Sequence, residues 1–204
     1  MLFDDTYRTI KRPSEGIFRD KGSKFIGYAY PIRNETEVKA VLVQLKNEHP
    51  KARHFCWAFR LTPDRNIFRV NDDGEPSGTA GRPILNTLLS CDITNIVMVV
   101  VRYFGGTLLG VPGLINAYKS ASLEAIQANE IITNTVNDVY EVKFDYLAMN
   151  DVMKILKDEQ LSILQQEFDI ACSIKFEVRK ANLTAVLSKL EKIEEIKIHY
   201  ITTI

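Results

Sequence analysis

Ile96-Val97-Met98-Val99-Val100-Val101-Arg102-Tyr103 is a run of apolar, mostly β-branched residues, with no charge before Arg102. A strand half-exposed to water alternates apolar and polar side chains; this one does not. The pattern predicts a central strand buried on both faces. A glycine loop follows at once, Gly105-Gly106-Thr107-Leu108-Leu109-Gly110-Val111-Pro112-Gly113. Upstream lies a second loop, Asn71-Asp72-Asp73-Gly74-Glu75-Pro76-Ser77-Gly78-Thr79-Ala80-Gly81, with almost no bulky apolar side chain. Neither composition can pack as a strand interior.

Working outward, residues 14–32 read as a β-hairpin turning at Asp20-Lys21-Gly22-Ser23. Asn34 followed by Glu37 forms a capping box, and Val38, Val41, Leu42 and Leu45 recur at helical spacing, predicting a helix over 35–48. It should stop at His49-Pro50, because the residue before proline disfavours the helical region. Arg53–Leu61 and Ile67–Val70 read as strands around the turn Pro63-Asp64-Arg65-Asn66. Pro83 starts a helix whose core face is Ile84, Leu85, Leu88 and Leu89. A second helix is expected from Leu114 to Ala128.

The pattern resets over 129–137. Val139–Phe144, Leu161–Phe168, Ala171–Val178 and Ile196–Ile201 read as strands, the middle two joined by a turn at Asp169. Asn150 and Asn182 stand where they would cap two helices, carrying Val152, Met153, Leu156 and Val186, Leu187, Leu190. The order is βαββαβ, the ferredoxin-like arrangement. The expected division is 1–132 and 133–204, and the class is α+β.

The 204 residues carry 26 basic and 26 acidic side chains, with 46% hydrophobic residues. This is a globular composition, neither disordered nor dominated by one electrostatic partner. The charge is unevenly spread: residues 1–70 hold 14 basic and 8 acidic side chains, whereas 133–204 hold 9 and 12. No stretch reaches the roughly 18 apolar residues of a membrane span, so no membrane partner is expected. Met1–Asp5 lacks the start of a signal peptide, which points to the cytosol. Cys56, Cys91 and Cys172 are too widely spaced for a zinc site and read as free thiols.

Several groups have chemical potential. The loop after 96–103 opens a helix, where unpaired N–H groups suit an anion. It matches neither GxxxxGK[ST] nor GxGxxG. Asp72, Asp73 and Glu75 are oxygen ligands in principle, but the EF-hand spacing is missing and a solvated turn explains them better. No metal or cofactor is expected. His54 and Cys56 fall on one side of a strand, yet Cys56 amid Phe55, Trp57 and Phe59 reads as a buried hydrophobe. Tyr28, Tyr30, Trp57 and Tyr103 are base-stacking candidates only if exposed, and on strands they read as core. His49 and His199 show no partner pattern.

Asp73-Gly74-Glu75-Pro76-Ser77-Gly78-Thr79-Ala80-Gly81-Arg82-Pro83-Ile84-Leu85 and Val101-Arg102-Tyr103-Phe104-Gly105-Gly106 resemble the IMPACT/YigZ family. So do Gly22–Ile26, Ala52–Arg60 and Gly113-Leu114. The resemblance spans the chain. It implies an N-terminal left-handed βαβ crossover domain, like domain IV of elongation factor G, and a C-terminal ferredoxin-like domain. It also implies a link to translation: eukaryotic members act in translational control, and nucleic-acid binding is suggested for the fold. Those members carry an N-terminal partner-binding domain not expected here, so their starvation-kinase role does not carry over. Relatives often read GGxKLGxGGLxRAY where this chain has Leu108, Pro112 and Asn116 at the Lys, Gly and Arg positions. Two cations are lost where a phosphate would be held.

The leading reading is a non-enzymatic protein that binds RNA or the ribosome near translation. Its candidate phosphate contacts are Lys21, Lys24, Arg53, Arg60, Arg69, Arg82 and Arg102. The alternative is an enzyme or a binding protein for a nucleotide or phosphometabolite. Its anion site would lie between the glycine loops, built from Asp73, Glu75, Ser77, Thr79, Arg82, Arg102, Gly105, Gly106, Gly110 and Gly113. A third reading is a protein-interaction module using the C-terminal sheet face.

Overall fold

The structure is a computed structural model that describes residues 5–168 and 172–204. Two compact units divide it: residues 7–134, and residues 135–204 together with Asp5 and Thr6. Both mix helix and sheet. The predicted turn at Asp169 lies outside the described residues.

The first unit runs β1 (Thr6–Ile10), β2 (Ser14–Asp20), β3 (Ser23–Pro31), α1 (Glu35–Glu48), β4 (His54–Leu61), β5 (Ile67–Asn71), α2 (Gly81–Ser90), β6 (Ile96–Tyr103), α3 (Gly110–Gln127) and β7 (Ile131–Thr135). Five strands form one antiparallel sheet in the order β2-β3-β6-β4-β5. The apolar run Ile96–Val101 is central and buried throughout, as its sequence requires. Val97, Val99 and Val101 pack towards Val38, Val41 and Leu45 of α1. Ile96, Met98 and Val100 pack towards Ile84, Leu85 and Leu88 of α2 and Ala117, Tyr118 and Ala121 of α3. One face of the sheet thus meets one helix and the other face meets two.

Main-chain contact sets how closely α3 approaches. Gly16 and Gly27 pair across β2 and β3. A Cβ on Gly16 would run into the backbone of Glu124 and Ala125, and one on Gly27 into that of Ala121. Ala121 and Ala125 are fully buried at this contact.

Local signals set most helix ends. Asn34 Oδ1 accepts from the Glu37 N–H at 3.2 Å, and α1 stops at His49. Helix α3 begins at Gly110, four residues before the expected Leu114. Pro112 does not prevent this, because first-turn N–H groups have no intrahelical acceptor to lose. Strands β1 and β7 pair with each other, although 129–137 reads as a break in pattern.

The second unit runs β8 (Asn137–Phe144), α4 (Met149–Asp158), β9 (Ser162–Phe168), β10 (Cys172–Arg179), α5 (Leu183–Leu190) and β11 (Lys197–Thr203). Its antiparallel sheet has the order β11-β8-β10-β9. Val142, Phe144, Ile174 and Phe176 face Val152, Leu156, Val186 and Leu190 from the two helices. The expected caps do not form. Asn150 lies inside α4, which follows a 3₁₀ turn over Tyr146–Ala148, and the Asn182 side chain makes no capping bond. A 3₁₀ turn leading each helix takes over the entry that a side-chain cap would otherwise organise.

Candidate functional site

Strand register gathers the interesting loops. Lys24 stands opposite Tyr103, Arg102 opposite His54 and Trp57 opposite Asn71. The 20–23 turn, the 50–53 segment and the loops following β5 and β6 therefore emerge at one end of the five-stranded sheet. Gly105 rests on Gly22, where a Cβ would overlap the backbone of residues 22 and 23. The Gly105 N–H also donates to Ser23 Oγ at 3.1 Å.

Asp72 organises the upstream loop. Its carboxylate accepts from the N–H groups of Gly78 (2.9 Å), Ala80 (3.0 Å) and Gly81 (2.8 Å). Burial raises its pKa, but the three donors together outweigh burial and hold the carboxyl below its ordinary range. Asp73 Oδ2 accepts from the Phe55 N–H at 2.7 Å, and the Asp73 carbonyl accepts from His54 Nδ1 at 2.9 Å. Thr79 Oγ1 donates to the Pro76 carbonyl at 2.6 Å.

Glu75 is different, because it turns inward. Its Oε1 accepts from Arg102 Nη1 at 2.5 Å and from the Tyr118 hydroxyl at 2.7 Å. The two charged side chains are 3% and 6% exposed. The guanidinium of Arg102 lies 5.4 Å from the Phe25 ring centre and 5.5 Å from that of Phe104, so aromatic faces flank it. Cys56 Sγ lies 3.0 Å from the Asp72 carbonyl and 3.2 Å from the Tyr118 hydroxyl. Burial pushes both the Cys56 thiol and the Tyr118 hydroxyl up in pKa, which keeps them neutral.

These bonds reassign much of the proposed ligand set. Asp73, Glu75, Thr79 and Arg102 are held by internal partners rather than presented to solvent. Ser77, Arg82, Gly105, Gly106 and Gly110 are exposed, and Gly113 is half-buried. Among the described residues no group of three or more His, Cys, Asp or Glu side chains is arranged to hold a metal ion. His54 and Cys56 are engaged by different loop carbonyls, and the raised thiol pKa is the reverse of nucleophile activation.

The cations separate into two groups. Lys21, Arg53 and Arg82 are exposed and Lys24 half-buried, all beside the glycine loops. Among the described residues none of the four joins an ion pair. Arg69 pairs with Glu35 at 2.9 Å. Arg60 is buried near the opposite end of the sheet, 3.6 Å from Asp92. Leu108 is 82% exposed, with Phe104, Val111 and Ile115 also exposed, so this loop displays apolar side chains.

Sequence reasoning did not single out Tyr118, read Asp72 only as a solvated turn residue and gave His49 no partner. Tyr118 reads as one more apolar helix position. His49 accommodates Tyr28 at Nε2 (2.8 Å) and Tyr103 at Nδ1 (2.9 Å), which fixes two of the candidate stacking rings on the α1 face. Burial, then Glu15 and Glu48, push the Tyr28 pKa up to about 12. Trp57 stacks on Phe59, with ring centres 5.7 Å apart. On the C-terminal sheet, Glu141 accepts from Ser173 at 3.1 Å and pairs with Lys143 at 3.3 Å, and Lys175 donates to Gln165 at 3.0 Å. That surface is polar and internally tied.

Residues 21–126 match the Impact N-terminal domain. The chain is 33% identical over 172 residues to an IMPACT family member of Haemophilus influenzae, covering 83% of this chain and 84% of that protein. It is 30% identical to IMPACT family member YigZ of Escherichia coli, with the same two shares covered. A solved structure described as the crystal structure of a hypothetical protein superposes with a TM-score of 0.75 at 26% identity, covering 97% of this chain and 98% of that one. Among the described residues no helix is long and apolar enough to cross a membrane.

Proposed function

This chain belongs to the IMPACT family, and from that premise we propose that it is a non-enzymatic, cytoplasmic protein that binds RNA or the ribosome near translation. The observation that carries this reading is the clustering of Lys21, Lys24, Arg53 and Arg82 beside two glycine loops, with no carboxylate partners among the described residues. Unpaired cations on a shaped backbone are what a phosphate chain needs for positioning. The internal bonding of Glu75 and Arg102 favours this reading over a small-molecule site between the loops, since it removes the two strongest charges such a site would use. With Leu108 in the loop, binding is modest in charge and led by shape. The same reading assigns the first unit to the left-handed crossover fold and the second to the ferredoxin-like fold, the latter supported by its β11-β8-β10-β9 order.

The test is a salt titration of binding to structured RNA and to ribosomal subunits. Binding should weaken linearly on a log–log plot. Replacing Lys21, Arg53 and Arg82 together by Ala should lower the slope by about two to three. Arg69→Ala, at a residue paired with Glu35, should leave it unchanged. A flat salt dependence, or no binding at low salt, sinks the reading.

A further inference from the structure

At the end of the sheet away from the glycine loops, two arginines share one carboxylate. Arg60 Nη1 lies 3.6 Å from Asp92 Oδ1, and Arg65 Nη2 lies 3.1 Å from Asp92 Oδ2. Arg60 Nη1 also donates to the Ile93 carbonyl at 3.3 Å. Their Nε groups are buried without any hydrogen-bond partner. The Arg60 side chain is 10% exposed, that of Arg65 29% and that of Asp92 44%. We propose that Arg60 and Arg65, gathered by Asp92 as their resting counter-ion, form a binding site for one phosphoryl oxyanion, supplied as inorganic phosphate or as a phosphate monoester.

Charge and hydrogen bonding both point this way. Two guanidinium groups against one carboxylate leave one positive charge uncompensated in a partly buried corner. Desolvation and the neighbouring Arg65 lower the Arg60 pKa, with Asp92 opposing them. A buried donor without an acceptor is costly, and one attached to a cation more so. The acid next to Arg65 in sequence does not fill the gap. Asp64 is bonded within its own turn to Thr62 Oγ1 and to Asn66, its Oδ2 accepting from Asn66 Nδ2 at 3.0 Å. An oxyanion with several acceptors matches the donors that these two arginines leave unpaired better than water or a neutral group does.

The corner is also held in a costly conformation. Thr62, Arg65, Asp92 and Asn95 have φ values of 68, 65, 50 and 55°, and they make up half of the eight non-glycine residues with left-handed backbone among those described. A β-branched residue such as Thr62 rarely adopts this conformation. Here Asn95 Oδ1 accepts from the Thr62 N–H and Thr94 Oγ1 donates to the Thr62 carbonyl, both at 2.9 Å. Those bonds lock the 62–66 turn to the 91–95 segment, which is what brings both arginines onto Asp92. Strain maintained by surrounding bonds is typical of ligand clamps.

Burial of Arg60 defines the ligand's shape. A terminal phosphoryl group enters end-on past Asp92 and Arg65. A diester, continued by sugar on both sides, requires an open groove. This site is therefore separate from the RNA-binding reading.

Titrating the full chain with inorganic phosphate at constant ionic strength, followed by calorimetry and thermal shift, tests the proposal. Saturable binding is expected. Arg65→Gln should weaken it about tenfold or more while leaving the salt slope for RNA unchanged. Asp92→Asn should bind phosphate more tightly, because it releases both guanidinium groups, even though it lowers the melting temperature without phosphate. A purely structural cluster gives no such gain. Adenosine 5′-monophosphate should compete with phosphate, whereas an oligoribonucleotide without terminal phosphate should not. No saturable phosphate effect on the native chain overturns the proposal. So does an Arg65→Gln chain that binds normally, an Asp92→Asn chain that binds less well, or competition by the unphosphorylated oligonucleotide.

Discussion

Arg102 reaches Glu75 at 2.5 Å across a gap of 27 residues, joining the exit of the central strand to the loop that precedes α2. The pair is closed off by Phe25 and Phe104 and completed by the Tyr118 hydroxyl. Two strongly charged residues in glycine-rich surroundings thus act on each other first.

Breaking that pair from one side should be expensive. Arg102→Ala leaves Glu75 buried without its counter-charge, and a loss of about 3–5 kcal/mol is expected in urea unfolding. Tyr118→Phe removes the hydrogen bond to the charged Glu75 acceptor, together with the weak one accepted from Cys56 Sγ, and should cost about 1.5–3 kcal/mol. Replacing Glu75 and Arg102 together by Leu and Met should recover part of the single-variant loss, which a double-mutant cycle measures.

Acid should loosen the loop after β5 through Asp72. Its folded pKa lies below the unfolded value, so the stabilisation is fully present above the ordinary carboxylate range near pH 4. It is lost as pH falls through the lower folded value. Asp72→Asn should lower stability at neutral pH and reduce the further loss below about pH 4. Equal acid sensitivity in both chains would contradict this assignment.

The cysteines should differ in reactivity. Cys56 and Cys172 are buried and Cys91 is half-buried. A thiol reagent at mildly alkaline pH should modify Cys91 in the native chain and reach Cys56 only after unfolding. Rapid native labelling of Cys56 would mean that the Asp72–Cys56–Tyr118 contacts open readily.

Gly27→Ala should strain the contact between α3 and the sheet, since the new Cβ meets the Ala121 backbone, which has no rotamer to yield. Overpacking of this kind costs about 1–3 kcal/mol, visible as a lower melting temperature.

Much of the architecture could be read from local pattern. Ile96–Val101 could only be a doubly buried strand, and Asn34 with Glu37 marked the start of α1 within a residue. The β1–β7 pairing could not be read, because it joins segments over a hundred residues apart and neither segment has a distinctive composition. The loop chemistry was half-legible. Glycines, carboxylates and Arg102 marked these segments as polar loops, but sequence does not show whether a carboxylate faces solvent or a neighbour. Tyr118 gave no signal, since a helical tyrosine among alanines looks like packing. The Arg60–Arg65–Asp92 corner depends on backbone geometry in two turns, which composition does not encode.

Because α3 sits on Gly16 and Gly27 with no side chain between, its height above the sheet is fixed by atoms that every sequence shares. The loop feeding that helix is therefore carried on a mount indifferent to what it displays. In this chain the loop shows Leu108, Pro112 and Asn116, and none of the three lies at the contact of α3 with Gly16 and Gly27. Substitutions confined to the displayed side chains would therefore change the surface of this loop while leaving the seat of α3 on the sheet as it is.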